Sequence, residues 1–251
     1  MFDILVPNGN EKELLARASE LRITHAVLLY KSFSELKTKK AEIGHTQAES
    51  VPLRAAELGS ACAYRTIYIN FGLLLRPKSM KEAKNINEKT YLDADFIAAT
   101  SQDEGIIRAL CENPMIDVVF GAATSFGKDA LDYRRSGMNA ILADLMKQNK
   151  QSHAISFTNI LNETGNRRAK LLGREMQNVQ LTRRKVPLII ASFASKPEEL
   201  RLPENLSALL RILGANYPQS KAATSTAIEN ILKRKEARRS RGFVRAGVRV
   251  V

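Results

Sequence analysis

Short apolar runs alternate with segments of helical spacing along most of the 251-residue chain. The spacing is clear in 11–21, where Leu14, Leu15, Ala18 and Leu21 recur at the intervals of one helix face. The apolar runs have the length of strands and end at Pro, Asn or Gly turn signals. The predicted strands are 2–6, 25–30, 61–75 (one bent strand, or two broken near 70–72), 95–100, 117–122, 154–157 and 187–193. The predicted helices are 11–21, 32–40, 139–149, 166–185, 206–213 and 222–235, with a further helix start at 101–104 and a polar loop at 42–50.

This alternation predicts parallel strands joined by right-handed crossovers. The runs 117–122 and 187–193 are apolar throughout, as expected of strands covered on both faces. Seven or eight such units favour closure, so the predicted fold class is α/β, a TIM-like (β/α) barrel. No strand is followed by G-x-G-x-x-G, which argues against a dinucleotide-binding domain. We expect the barrel to occupy 1–232 and residues 233–251 to form a flexible basic tail.

The charge of the chain indicates an acidic partner. The net charge is +13, and residues 233–251 hold eight Lys/Arg and one Glu, which leaves 1–232 still basic at +6. Such a balance favours nucleic acid or, less often, an anionic membrane surface. Neither a secretory signal nor a bilayer-spanning run is recognisable, so we expect a cytoplasmic protein with no membrane partner. Cys62 and Cys111 lie among apolar residues without C-x-x-C spacing, which fits a reducing cytosol.

Catalytic groups in barrels of this type lie at the carboxyl ends of the strands. His25 and His153 open strands instead, His45 lies in a polar loop, and none has metal-ligand spacing. The acids that begin strands, expected in solvated or capping roles, are Asp3, Asp95 and Asp117. G-x-S-x-G and P-loop patterns are missing. The sequence therefore predicts no catalytic residue, no metal site and no cofactor bound by this chain.

The segment 166–185 is a long basic helix. On a helical wheel its apolar residues form one face, and its basic residues, with Asn178 among them, form the opposite one. The apolar set is Ala169, Leu172, Met176 and Val179, and the basic set is Arg167, Lys170, Arg174 and Lys185. Leu171 and Leu181 lie towards the basic side, under a neighbouring loop or partner. A basic face of this kind can follow a phosphate backbone, but an outer barrel helix with a solvated charged face remains an equal alternative.

Other basic residues lie near strand ends or in the tail. The first group is Arg65, Arg76, Arg134 and Arg135. Tyr133 precedes the last two and places a stacking ring beside their guanidinium groups. The tail adds Arg238, Arg239 and Arg241. The tail is expected either to stay solvated or to become ordered on RNA.

The most specific pattern lies in 165–214. It follows R-x-x-L-L-x-R-x-x-x-N-x-x-L, a strand ending in small residues and Ser, and then, in outline, S-P-x-E/D-L-R-x-P-x-D/E-L-x-A-L-L-R-x-L-G. It begins at Arg168, Leu171, Leu172, Arg174, Asn178 and Leu181, and continues through Ser192, Ser195, Glu199, Leu200, Arg201, Pro203, Glu204, Leu206, Ala208, Leu209, Leu210, Arg211, Leu213 and Gly214. This pattern resembles that of the archaeal ribonuclease P protein component 3 family, relatives of the eukaryotic 30-kDa ribonuclease P subunit. The segment 136–149 resembles the helix that precedes the next strand in the family. This chain departs from the pattern at Phe193-Ala194 and at Lys196, which affects the expected turn geometry.

The resemblance implies a barrel related to metal-dependent phosphoesterase barrels but without their ligands. It also implies a ribonuclease P subunit that supports RNA-catalysed removal of 5′ leaders from precursor tRNA, with Mg²⁺ held by the RNA. The implied partners are the ribonuclease P RNA, precursor tRNA through the complex, and the component 2 protein in a heterotetramer. The alternatives are a metal-dependent phosphoesterase on the same barrel and a general RNA-binding protein. The candidate RNA- or partner-binding residues are Arg65, Arg76, Arg134, Arg135, Arg167, Arg168, Lys170, Arg174, Asn178, Lys185, Arg201, Arg238, Arg239 and Arg241.

Overall fold

The computed structural model describes residues 1–43, 48–52, 64–86, 88–124, 129, 134–239, 243–245 and 248–249. The strands β1 to β10 are, in order, Phe2–Leu5, His25–Tyr30, Ala48–Pro52, Tyr64–Leu75, Phe96–Thr100, Val118–Phe120, Ser152–Ser156, Leu188–Ala191, Phe243–Arg245 and Val248–Arg249. The helices α1 to α11 are, in order, Glu11–Glu20, Phe33–Ile43, Met80–Lys84, Glu88–Asp93, Glu104–Glu112, Ala140–Gln148, Phe157–Asn162, Gly165–Thr182, Pro203–Ile212, Tyr217–Ala223 and Thr226–Arg239.

Seven of the described strands run parallel and curl into a barrel, in the order β1-β2-β4-β5-β6-β7-β8. The last strand returns to the first through a bridge between Leu5 and Ala194, where the Val6 amide donates to the Ala194 carbonyl at 2.8 Å. Next to this narrow seam, Asp3 Oδ1 accepts the Ser192 amide at 2.7 Å. A carboxylate thus supplies the hydrogen bond that a longer strand pair would make. The predicted TIM-like α/β barrel is confirmed.

Side chains alternate across the barrel wall because successive strand residues point to opposite faces. Phe2, Ile4 and Val6 belong to the apolar cluster inside the barrel. Leu5 belongs to the outer cluster that packs against helices. At the carboxyl ends of the strands, the rings of Phe120 and Phe193 stack with centroids 4.3 Å apart and are both buried. Aromatic packing therefore fills the end at which barrel enzymes place their chemistry.

Helix α11 covers the opposite end of the barrel, where the strands begin. Its Ala227, Ile228 and Ile231 join the inner apolar cluster. The Phe2 amide donates to the Thr224 carbonyl at 2.9 Å, just before the helix starts. This bond and a turn at Ser225 divide the single helix predicted for 222–235 into α10 and α11.

The predicted start of a flexible tail at Lys233 needs correction, because α11 continues to Arg239. Lys235 is 2% exposed and lies 3.2 Å from a carboxylate oxygen of Asp117. Arg239 lies 2.6 Å from Asp95. Acids at the starts of two strands therefore hold this basic helix against the barrel. The residues 240–242 lie outside the described part, and β9 pairs antiparallel with β10 beyond them.

The polar loop predicted for 42–50 is wrong for its last part. Ala48–Pro52 forms β3, which pairs antiparallel with β4. Its sequence has no apolar run, and the backbone pairing to β4 makes the strand. The apolar region 61–75 contains one strand, Tyr64–Leu75, rather than two.

Candidate nucleic-acid interface

The buried face of α8 differs from the apolar face predicted by the helical wheel. Val179 is buried as predicted, but Ala169 and Met176 are exposed, the latter at 38%. The buried positions are Leu171, Gly173, Arg174, Glu175, Asn178, Val179 and Thr182. Leu171, expected near the basic side, packs inward. The wheel failed because much of the inward face is polar and takes its partners from distant parts of the chain.

Arg174 is a structural residue on that inward face. It is 6% exposed, and its Nε and Nη2 donate to Asp129 Oδ1 at 2.9 and 2.6 Å. Partial burial acts to raise the pKa of Asp129. Hydrogen bonds from Arg174 and the Arg135 amide, with the charges of Arg174 and Lys170, nevertheless hold that pKa below its usual range. Arg174 therefore fixes the segment after β6 to α8 and is not open to a ligand.

Four other predicted residues are also engaged within the chain. Asn178 is fully buried and donates to the Ser136 carbonyl at 3.0 Å. Arg168 donates to the carbonyls of Leu161 and Glu163 at the end of α7. Lys185 contacts Asp144 at 2.8 Å and donates to the Ala140 carbonyl. Arg201 donates to the carbonyls of Glu198 and Leu200. These side chains stabilise helix ends and loops, so a ligand would have to compete with contacts inside the protein.

The predicted residues of the C-terminal helix lie at the far end of the barrel. The guanidinium of Arg238 lies over the Tyr91 ring, 5.4 Å from its centroid. Arg239 donates to the Leu92 carbonyl as well as pairing with Asp95. Arg241 lies outside the described residues. This group is separated from α8 and does not form one surface with it.

The predicted cations that remain available are Arg76, Arg134, Arg135, Arg167 and Lys170, all exposed. Arg76 follows β4 at the carboxyl end of the barrel. Arg65 lies in β4 opposite Val51, before the barrel part of the strand begins. The side chain of Arg65 and all of Tyr133 lie outside the described part of the chain.

Arg134 and Arg135 border a groove of about 850 Å³ between α5, the start of α6 and α8. Its far wall contains Asp103, which caps α5 by accepting the Ile106 amide at 2.9 Å, and the neighbouring Glu104. The groove also exposes Ile141, which is 64% accessible. Arg134 and Arg135 form one side of the groove, α8 contributes Gln177 and Leu181 to it, and Arg108 of α5 lines it beside the two acids.

The structure also reveals buried charges that the sequence did not reveal. Asp3 and Asp117 are buried rather than solvated, and each accepts a backbone amide at a strand start, as in the capping alternative. Burial raises the pKa of Asp3 to about 6, although hydrogen bonds from Ser192 and Ile4 oppose the shift. Burial also raises the pKa of Asp117, against the attraction of Lys235 and Arg234. The sequence signal for the Asp117 pairing was the presence of a basic run from Lys233 and of an acid that begins a strand.

Among the described residues, no group of three or more His, Cys, Asp or Glu side chains could hold a metal ion. None of the described helices is long and apolar enough to cross a membrane.

Comparison with known families decides the class of protein. The sequence model of the family described as RNase P subunit p30 matches residues 1–240. The chain belongs to the RNase P subunit p30 family. The match includes the barrel, α8 and α11 through Arg239, so the helix that closes the barrel is part of the family's common region.

Curated relatives agree with this family. The ribonuclease P protein component 3 of Methanosarcina mazei is 29% identical over 158 residues, which cover 62% of this chain and 62% of the relative. The component 3 of Methanococcoides burtonii is 28% identical over 157 residues, covering 62% and 61%. The chain thus matches about 62% of the length of the curated relatives.

The fold matches that of a chain in an archaeal ribonuclease P solved by cryo-EM with mature tRNA. The TM-score is 0.71 at 19% identity, and the alignment covers 100% of this chain and 98% of the other. A crystal structure of an uncharacterized protein gives a TM-score of 0.54 at 8% identity, covering 92% and 74%. At these identities the likeness establishes the fold.

Proposed function

We propose that this chain is a protein subunit of ribonuclease P and supports removal of the 5′ leader from precursor tRNA. The observation that carries the proposal is the family match over residues 1–240. The net charge of +13 and the exposed cations along α8 support it, because an RNA-based enzyme must compensate dense phosphate charge.

In this proposal the RNA performs the chemistry. Mg²⁺ held by the RNA supplies the metal-assisted hydrolysis of one phosphodiester bond. The described side chains offer no three-ligand group that fits such a metal, so we assign no reaction step to this chain. Its contribution is to neutralise phosphates and to hold the catalytic RNA in its folded form.

The proposed partners are the ribonuclease P RNA, precursor tRNA through the complex, and the component 2 protein in a heterotetramer. Support for the protein partner is the resemblance of 165–214 to component 3 proteins, together with the similarity of the chain to the component 3 proteins of Methanosarcina mazei and Methanococcoides burtonii. We place the complex in the cytoplasm. Native mass spectrometry of this chain mixed with component 2 tests the heterotetramer. We expect the mass of a complex with two copies of each protein. A mixture that stays as separate chains would contradict it.

Reconstitution of precursor-tRNA cleavage tests the function itself. An archaeal ribonuclease P RNA is incubated with component 2, with or without this chain, at modest Mg²⁺, and the cleavage position is mapped. We expect cleavage at the mature 5′ end to rise only when both proteins are present. An unchanged rate would overturn the proposal. Incubating this chain with precursor tRNA but without the RNA subunit tests for chemistry of its own.

A further inference from the structure

Four positions on α8 form one row along the helix surface. Arg167, Lys170, Gly173 and Gln177 follow each other at intervals of three, three and four residues, which places them on the same face. Successive positions are about one helical turn, or ~5 Å, apart. Arg167 and Lys170 are exposed, and Gln177 borders the groove. The row is therefore a line of cations and an amide, interrupted by a residue with no side chain.

Arg134 fills the interruption at Gly173. Its Nη1 donates to the Gly173 carbonyl at 3.1 Å. A Cβ built on Gly173 would lie 2.8 Å from Nη1 and 2.9 Å from Cζ of Arg134, both closer than real Cβ atoms come. Glycine inside a helix costs about 1 kcal/mol relative to alanine. The guanidinium thus occupies the space that any other residue at 173 would take, and it continues the row.

The cations of this row form no direct ion pair with the described carboxylates. Within the described ranges, Arg134, Arg135, Arg167 and Lys170 make no ion pair within 4.0 Å. The nearby acid, Asp129, is already held by Arg174 and by the Arg135 amide. Arg134 is also held without a carboxylate, so its charge is positioned but not cancelled. A side chain in that state loses little conformational freedom when it binds an anion.

We propose that the row of Arg167, Lys170, Arg134 and Gln177 is a track for the phosphates of an RNA strand, with Arg134 positioned by Gly173. The proposal rests on the proposed function, because it assigns the RNA contact of that subunit to one surface. Arg167 and Lys170 lie one helical turn apart on α8 and Arg134 is held at Gly173, so the row presents positive charge to a repeating anion, and a guanidinium can contact one phosphate with two donors. The four residues of the row include no apolar or aromatic side chain of the kind that dominates protein interfaces, and the exposed Ile141 belongs to the neighbouring start of α6. The acids Asp103 and Glu104 repel an RNA strand from the far wall of the groove, where Arg108 is already paired with Glu112.

Equilibrium binding of an archaeal ribonuclease P RNA, measured over a range of salt concentrations, tests the track. Each lost phosphate contact reduces the slope of log K against log salt by roughly 0.7 to 0.9. We expect Arg134→Ala to reduce it by one such step, with about a tenfold loss of affinity at low salt. The double variant Arg167→Ala/Lys170→Ala should reduce it by about two steps. The matched control is Lys12→Ala/Lys221→Ala, which removes two exposed charges from α1 and α10. It changes the net charge by the same amount without touching the row, so its salt slope should stay close to that of the parent.

Gly173→Ala distinguishes a positioned arginine from a loose surface charge. The new methyl group must displace the guanidinium, so RNA affinity should fall about as far as in Arg134→Ala. Its thermal stability should equal or exceed that of the parent, since alanine favours the helix and a side-chain end moves easily. Gly173→Ala/Arg134→Ala should bind no worse than Arg134→Ala, because both changes remove one contact. An unchanged affinity for Gly173→Ala, or additive losses in the double variant, would overturn the positioning of Arg134.

The remaining outcomes separate this inference from the proposed function. If the parent chain binds the RNA and supports leader cleavage but the row variants behave as the control does, only the track is wrong. If the row variants keep RNA affinity but lose an acidic protein partner, the surface is a protein interface and the inference fails. If the parent chain neither binds the RNA nor supports cleavage, the proposed function fails and the track fails with it.

Discussion

Lys235 buries its ammonium group between Asp117 and Tyr91. Its Nζ lies 3.2 Å from Asp117 Oδ2 and 3.3 Å from the centre of the Tyr91 ring, and both charged side chains are 2% exposed. Burial lowers the pKa of Lys235 to about 8, although the attraction of Asp117 opposes the shift. Such a pair costs desolvation when both partners are present, and far more when one is removed. It fixes α11 across the end of the barrel at which the strands begin.

Lys235→Met should therefore destabilise the fold. Among the described residues, Asp117 would keep Arg234 as its one charged partner, and we expect the free energy of unfolding to fall by about 3 kcal/mol. Urea denaturation measures the change. Lys233→Met is the control, since Lys233 is 68% exposed and pairs with Glu229, and it should change stability by less than about 0.5 kcal/mol. Equal stability of both variants would contradict the role of the buried pair.

Asp3 should make stability depend on pH in the acidic range. Its pKa is about 6 in the folded protein, above the ordinary 3.8 of an aspartic acid, because the carboxyl group is buried. The stabilisation from its bound proton is complete below pH 3.8 and is lost as pH rises through about 6. Asp3→Asn keeps an acceptor for the Ser192 amide and removes the titration. Its stability relative to the parent should rise by about 2 kcal/mol between pH 4.5 and pH 7.5.

Denaturation curves of both proteins at the two pH values test this prediction. The control is Glu13→Gln at an exposed position, and its difference in unfolding free energy from the parent should be the same at both pH values. A constant difference between Asp3→Asn and the parent would show that the carboxyl group titrates normally in the folded state.

Cys111 should be unreactive until the protein unfolds. Burial, and to a lesser extent the charge of Glu112, raise the pKa of its thiol to about 12, so almost no thiolate forms at pH 8. In a Cys62→Ser background, a thiol reagent should label Cys111 only in concentrated denaturant. Fast labelling of the native protein would mean that α5 opens readily from the barrel.

Arg174 should matter for stability and not for RNA contact. Arg174→Ala leaves Asp129 without its main partner and should cost about 2 kcal/mol of unfolding free energy. Lys170→Ala removes an exposed charge from the same helix and should cost less than about 0.5 kcal/mol. Calorimetry of the two variants checks the order, and a reversed order would contradict the placement of both side chains.

The strands could be predicted because their apolar runs are covered on both faces, as in 25–30, which matches β2 at both ends. β3 could not, because a polar edge strand carries no such signal. The orientation of α8 was also hidden. Arg174 and Asn178 look like surface residues in the sequence, yet their partners are Asp129 and the Ser136 carbonyl, 45 and 42 positions away. Local periodicity does not reveal polar residues whose hydrogen bonds are made over such separations.

The candidate surface was predictable in composition but not in geometry. The basic character of 166–185 was evident, and Arg134 was a candidate from its neighbours alone. Only the structure brings Arg134 to Gly173 and makes a glycine inside a helix part of the surface. The basic run from Lys233 looked like a solvated tail because its acid partners, Asp117 and Asp95, lie more than 100 positions earlier.

The Mg²⁺ requirement of reconstituted leader removal tests the central claim most directly. If this chain acts by neutralising phosphates of a catalytic RNA, its cations replace part of the divalent ions that the RNA needs to fold. The Mg²⁺ concentration for half-maximal cleavage should then fall when the chain is added with component 2, and the product should keep the mature 5′ end. The same Mg²⁺ midpoint with and without the chain, or cleavage by the chain in the absence of the RNA, would contradict the account.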